Sequence, residues 1–404
     1  MMDRELLYTK NEKATFINGS ILAFIMLLNW LYLFNNTLLK MIGMGAMIFC
    51  FLFAIYEVII RSTKIKITKI WINYFLFMAY TLFTVIITPT SKAIYMWCLQ
   101  SILLLLVSLY SQFEINSENI KKIVFFNKIL FCVLLIPVMT IIVTKGDVAI
   151  NPYKDIFNFT FYKALFCVPY FFMILCKKES FKIFVGIAFT MILFFIGERG
   201  SALALIMIVV LEILLFKVKI NKRTYSFLFY SIAFFLIIMP FIYVVIQYSE
   251  LGIKINQISY QYTHANFFSG RNIVWEIGIN GFYKSPIIGH GMDNNILLEG
   301  RWTASAHNIY IYILLQGGII ALILFILYLH SVWMEFYECL NNNIVRLSAC
   351  YLIGSMIIAS FELTLIGNAV NLAICLWLII SIGLMKKNSI KNRLANRYAK
   401  NNFT

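Results

Sequence analysis

Two arginines and one histidine are the residues best placed to do chemistry in this hydrophobic chain. Glu198-Arg199-Gly200-Ser201 lies between two apolar runs with almost no loop. Arg271 follows Ser269-Gly270, and His307-Asn308 opens a further apolar run that carries Gly317-Gly318. A charge held so close to lipid is expensive and is read first as a functional group. The planar fork of arginine donates two parallel hydrogen bonds to phosphate oxygens. Histidine titrates near neutrality and can take a proton from a hydroxyl. The chain has no HExxH, no paired acidic metal motif and no GxxxxGK[ST], so neither a metal nor any other cofactor is expected. The alternatives are structural: Glu198 and Arg199 could neutralise each other at an interface, and His307 or Asn308 could simply cap a helix.

The elements that must position these groups are membrane helices. The chain has 404 residues, is 61% hydrophobic and only 13% charged. A soluble domain typically carries roughly 25% charged residues. Apolar runs of about 20 residues, the length a bilayer core demands of a helix, recur throughout. Spans are expected near 17–35, 41–60, 71–88, 93–111, 123–144, 160–176, 183–197, 201–216, 226–247, 308–329, 347–365 and 368–385. The fold class is therefore an all-α integral membrane protein of about 12 transmembrane helices. Residues 1–404 read as a single polytopic membrane domain, with 248–306 as one large outer loop containing short amphipathic helices. The eight cysteines fall mostly in apolar runs without a CxxC pair, as small apolar helix residues do.

The net charge of +16 could suggest nucleic acid or anionic lipid, but its placement points elsewhere. Between these spans, 23 basic residues gather on one side and nine on the other. The positive-inside rule then puts both termini in the cytoplasm, and the excess is a topology signal with no nucleic-acid partner. Lys128 and Lys163 fall inside spans near their ends, where they are expected to snorkel.

The loop 248–306 holds His264, Arg271, Lys284, His290 and Arg301, and His307 closes it. A lid or connector is the bland reading, but a connector has no need of so many cationic and imidazole groups. Asn272, Glu276 and Asn280 recur every four residues among apolar neighbours, which suits a helix lying in the membrane interface. Ser285-Pro286-Ile287-Ile288-Gly289 reads as a turn. Gly317-Gly318 is expected to allow close helix contact. Glu57 and Glu212 are expected to partner nearby lysines, whereas Glu362, near the outer end of its span, is a better candidate for the site. A membrane enzyme that handles a lipid-linked diphosphate is the simplest assembly of these parts. The diphosphate is already an activated leaving group, so the enzyme need only hold it and deprotonate the acceptor.

Three strings together resemble the O-antigen polymerase and O-antigen ligase family. Ile196-Gly197-Glu198-Arg199-Gly200-Ser201 is similar to its arginine motif. Ser269-Gly270-Arg271, with Trp275 and Ser285-Pro286-Ile287-Ile288-Gly289-His290-Gly291, is similar to its loop signature. His307-Asn308-Ile309-Tyr310, with Gln316-Gly317-Gly318-Ile319-Ile320, is similar to its histidine-asparagine motif. The resemblance implies a glycosyltransferase that acts on undecaprenyl-diphosphate-linked glycans at the outer face of the bacterial inner membrane. It implies that Arg199 and Arg271 hold the diphosphate and that His307 activates the acceptor hydroxyl. Arg301 joins the diphosphate candidates by position, and His290, Glu198, Asn308 and Glu362 are candidates for supporting them. Two positions depart from the pattern. Glu198 stands where serine or threonine is commoner, so Arg199 is expected to be paired in part. Gln316 stands where an acid is common, so a helper carboxylate there is absent.

A polymerase, whose acceptor is another lipid-linked repeat unit, is favoured over a ligase, whose acceptor is a lipid A core sugar. The expected partners are the undecaprenyl-diphosphate-linked oligosaccharide, the bilayer, and a chain-length regulator and flippase of the same pathway. A twelve-span transporter or flippase is the alternative from another class. It would favour two repeated halves and a site at mid-membrane. Residues 1–180 show no repeat of the later motifs, and the polar groups gather at one face.

Overall fold

A computed structural model describes residues 17–34, 36–60, 65–143, 160–263, 267–268, 271–293, 296–298, 302–304, 306–367 and 370–401. The order is α1 (Gly19–Trp30), α2 (Thr37–Ile60), α3 (Lys69–Ile87), α4 (Ser91–Tyr110), α5 (Ser117–Val143), α6 (Thr160–Ala164) and α7 (Val168–Met173). Then come α8 (Glu179–Phe195), α9 (Arg199–Lys217), α10 (Lys222–Gln247), α11 (Glu250–Thr263) and α12 (Arg271–Lys284). Strands β1 (Ile296–Leu298) and β2 (Trp302–Ala304) precede α13 (Ile309–Phe336), α14 (Asn343–Ala359) and α15 (Val370–Asn401). Among the described residues the regular structure is helical apart from the small antiparallel hairpin, in which Leu297 pairs with Thr303.

The helices start where the sequence supplies side-chain acceptors for their open amides. Asn18, Thr90, Asn221, Asn308 and Asn342 each accept hydrogen bonds from the first turn that follows. Helical backbone occupies each of the twelve expected spans, but seven helices among the described residues are long and apolar enough to cross a membrane. These are α2, α3, α4, α9, α10, α13 and α15, while α1, α14 and the segment Tyr162–Met173 are shorter apolar helices. The expected span at 160–176 is not one rod, since a 3-10 turn at Leu165–Cys167 divides α6 from α7. Phe49, Phe234, Phe235 and Val245 are exposed on the outside of the bundle. Water would not tolerate such continuous apolar faces, and a bilayer would. α14 and the apolar half of α15 sit in the middle, with Tyr351 and Trp377 fully buried.

Polar groups tie this centre together at both ends. Lys182 and Arg346 both bind Glu212 Oε1 at 2.9 Å and also reach Glu179, which clamps α8, α9 and α14. This is the lysine partnership expected for Glu212, with an arginine added.

The glycine pair does something other than the expected close contact between helices. Gly317 (φ −138°, ψ 18°) and Gly318 (φ 64°, ψ −161°) break α13. The segment after α12 crosses at the break. The amides of His290 and Gly291 donate to the carbonyls of Leu315 (2.7 Å) and Gln316 (3.0 Å), and Ile319 donates to Pro286 at 2.9 Å. A Cβ on Gly318 would lie 2.1 Å from the Ile287 oxygen, so only glycine leaves room for the crossing strand of backbone.

The amphipathic stretch is also re-placed. It forms α12, but Val274, Trp275 and Ile279 are buried in a cluster with Ala306, Ile311 and Leu315 of the protein. The bundle therefore covers these three positions, because the loop folds back over the ends of α10 and α13, while Ile273 stays exposed.

Candidate functional site

Four chain segments meet at one end of the bundle, and a carboxylate lies at their centre. Glu362 follows α14 in a turn begun by Ser360. Its Oε1 binds Lys163 Nζ of α6 at 2.5 Å and lies 3.9 Å from the Arg271 guanidinium of α12. Its Oε2 lies 3.2 Å from His307 Nδ1. The helix carrying Glu362 thus ends before the residue, and the side chain reaches its partners from a turn.

His307 is held in this position by its backbone. Its φ of +46° places a non-glycine residue in the left-handed region, a conformation that costs on the order of 1–3 kcal/mol and clusters at functional sites. Next to it, Asn308 accepts from the amides of Tyr310 (2.9 Å) and Ile311 (3.1 Å) and donates to the Ser360 carbonyl at 2.9 Å. Asn308 is therefore the cap of α13 and also locks that helix start to the Glu362 turn. Trp275 Nε1 donates to Ala306 O at 3.0 Å, which fixes the residue before His307.

Phe361 joins two of the separated motifs. Its ring lies under the Arg271 guanidinium at 5.7 Å and beside Trp275 at 6.5 Å. A Cβ on Gly200 would come within 2.9 Å of the same ring, so the glycine of the arginine motif makes room for it. Arg199 opens α9 one residue earlier and is exposed, and both Arg199 and Arg271 lie within electrostatic reach of Tyr243 of α10.

The electrostatics separate the two acids. Burial penalises the charge on Glu362, but the His307 hydrogen bond and the Lys163 charge outweigh it and hold its carboxyl below the usual value. Burial pushes the Glu198 carboxyl up to about 7, against the pull of Lys163 and Arg271 and with the push of Glu362. Glu198 thus feels the charges of Lys163, Glu362 and Arg271. Near neutral pH the two neighbouring carboxyls carry less than two full charges.

An ionised Glu362 can only accept, so the neutral imidazole of His307 donates from Nδ1 and keeps its lone pair on Nε2. The His307 side chain is 43% exposed, so a substrate can reach that nitrogen. A base with an oriented lone pair, beside cations able to take phosphate oxygens, can deprotonate a hydroxyl and receive a diphosphate leaving group.

Other candidates lie elsewhere or are re-assigned. His290 Nε2 hydrogen-bonds Gly281 O at 2.8 Å, and its backbone docks on the α13 break, which makes it part of the loop's anchor. Gln316 joins Gln100 and the Met292 carbonyl at 3.3 Å each. Glu276 accepts from Tyr248. Arg301 and His264 lie outside the described residues. Lys163 was missed: a lysine among apolar residues looked like an anchor, yet its side chain is only 7% exposed and pairs with Glu362. No sequence periodicity signals that pairing, since 199 positions separate the partners.

Fold and site define a multi-pass helical membrane protein with an acid–histidine pair set among cations at one end of its bundle. Residues 183–326 match the family model described as O-Antigen ligase, in agreement with the resemblance carried by the three motifs. The match takes in Arg199, Arg271 and His307 and leaves Lys163 and Glu362 outside it. No curated protein matches the chain.

Proposed function

We propose that the protein is a polymerase of surface polysaccharide, O-antigen or capsule, at the outer face of the bacterial inner membrane. It transfers a glycan from undecaprenyl diphosphate to the acceptor sugar of another lipid-linked repeat unit, with no metal in the reaction. The observation that carries this reading is the His307 Nδ1–Glu362 Oε2 contact of 3.2 Å beside Arg271. His307 Nε2 takes the proton of the acceptor hydroxyl. The acceptor oxygen forms a bond to the anomeric carbon as the bond from that carbon to the diphosphate oxygen breaks. The electron pair leaves with undecaprenyl diphosphate, whose developing charge meets Arg271 and Arg199, with Arg301 as a further cation from the same loop. The proton held by His307 then passes to water.

Purified protein in nanodiscs, given lipid-linked repeat units and a chelator, is expected to build a ladder of longer lipid-linked chains. A ligase is the second reading, because the matching family model carries that description. Lipid A core supplied as competing acceptor separates the two: transfer onto core without chain growth would replace polymerase by ligase. Transport of the unit across the bilayer with neither transfer would remove the enzyme reading altogether.

This function needs the site outside and both termini in the cytoplasm. The 23-to-nine split of basic residues supports that arrangement. Reporter fusions at residues 66 and 220 are expected to report cytoplasm and a fusion at 280 the outside. A cytoplasmic signal at 280 would sink the topology and the mechanism together.

A further inference from the structure

Lys163, Arg271 and His307 stand around Glu362, and they are not equivalent. Lys163 reaches Oε1 at 2.5 Å and is 7% exposed, whereas the Arg271 guanidinium stands 3.9 Å from the same oxygen and is 34% exposed. The first distance is a hydrogen bond and the second is beyond one. A carboxylate this buried needs a counter-charge, since an ion left alone in a low dielectric is strongly destabilised. The two cations also come from different supports. Lys163 sits on the short α6, whose continuation buries Leu165, Phe166 and Cys167 in the core. Arg271 begins α12 on the loop and rests on the face of Phe361.

We infer that Lys163 is a positioning residue that serves as the resident counter-charge of Glu362, so that the Arg271 guanidinium is engaged by the donor diphosphate and not by the acid. Lys163 occupies Oε1 and thereby turns Oε2 to His307. With Lys163 gone, Glu362 keeps its need for a cation, and Arg271 is the nearest one on a side chain long enough to close the gap. Arg271 then binds Glu362, and the donor loses its fork. This assignment rests on the reading of Arg271 as a diphosphate ligand.

The experiment measures binding of undecaprenyl diphosphate, the product every donor of this class leaves behind, to the full-length protein in nanodiscs. Lys163→Met is expected to weaken binding about tenfold, the effect of one lost charge-assisted contact. Lys163→Gln keeps a hydrogen bond to Glu362 without its charge and is expected to weaken binding by a similar factor. It is the companion variant should Lys163→Met fail to accumulate. Lys163→Met with Glu362→Gln removes both charges of the buried pair, which proteins tolerate better than removal of one. That double variant is expected to return to within about twofold of the parent, because Arg271 no longer has an acid to fall back on. A merely structural lysine would not give this recovery. Parent-like binding in Lys163→Gln overturns the inference. So does a double variant that stays as weak as the single ones, or one that binds about tenfold tighter than the parent and so shows Arg271 already held by Glu362. Arg271→Ala, measured alongside, keeps the two readings apart. If it binds like the parent, the diphosphate assignment of Arg271 is the one that fails.

Discussion

Replacement of His307 by alanine, glutamine or asparagine is expected to cut turnover of lipid-linked repeat units by about 10²–10⁴, the usual worth of a general base. Undecaprenyl diphosphate should still bind, because binding belongs to the cations. The asparagine variant is the decisive one. A residue kept only to cap a helix tolerates asparagine, but here Asn308 already caps α13 through the amides of Tyr310 and Ile311. His307 therefore has no capping task for asparagine to inherit. The left-handed backbone at φ +46° favours asparagine over alanine, so His307→Asn also keeps the local fold. The pH dependence has a definite sign. Activity falls as pH drops and imidazole takes a proton, since imidazolium cannot accept another. Glu362, held below the usual carboxylate value, is still charged where ordinary carboxyls begin to protonate, so its own protonation does not begin the fall. Rates in nanodiscs at matched protein levels check this. Chain growth by His307→Asn at the parent rate would remove the base assignment. His290 would then be a poor successor, because its Nε2 is bound to the Gly281 carbonyl.

Arg271→Ala is expected to abolish polymer formation, and Arg271→Lys to restore little of it. Lysine keeps the charge but not the two-pronged donor. It also gives up the planar group that lies over Phe361 at 5.7 Å. Because Phe361 in turn packs on Gly200 and Trp275, the guanidinium plane is fixed by the same ring that joins the arginine motif to the loop. Lysine at this position becomes a point charge on a flexible stem. Arg199→Ala is expected to act in the same direction. The assay is surface-polysaccharide chain length in cells, with membrane levels of each variant measured in parallel. Near-normal ladders from Arg271→Lys at normal levels would make this arginine a structural or topology-setting group.

The sequence alone determined the membrane class, the positions of the helices and the residues most suited to chemistry. Hydropathy is a local property, so runs such as 199–217 and 222–247 announce helices without any partner. The capping role open to Asn308 was legible for the same reason, since a cap bonds within its own turn. Arg199, Arg271 and His307 were legible because a charge or imidazole beside lipid stands out against its neighbours. Tertiary structure decided everything that depends on distant pairs. Lys163 and Glu362 read separately as an anchor and a candidate site acid, and only the fold sets them 2.5 Å apart. Gly317-Gly318 looked like a packing surface because nothing nearby in sequence shows the Pro286–Gly291 backbone that crosses there. The apolar positions of α12 cannot say by themselves whether lipid or protein will cover each of them. For Trp275, which donates to Ala306 beside His307, it is protein. Periodicity records that a face must be buried, and only the folded chain supplies what buries it.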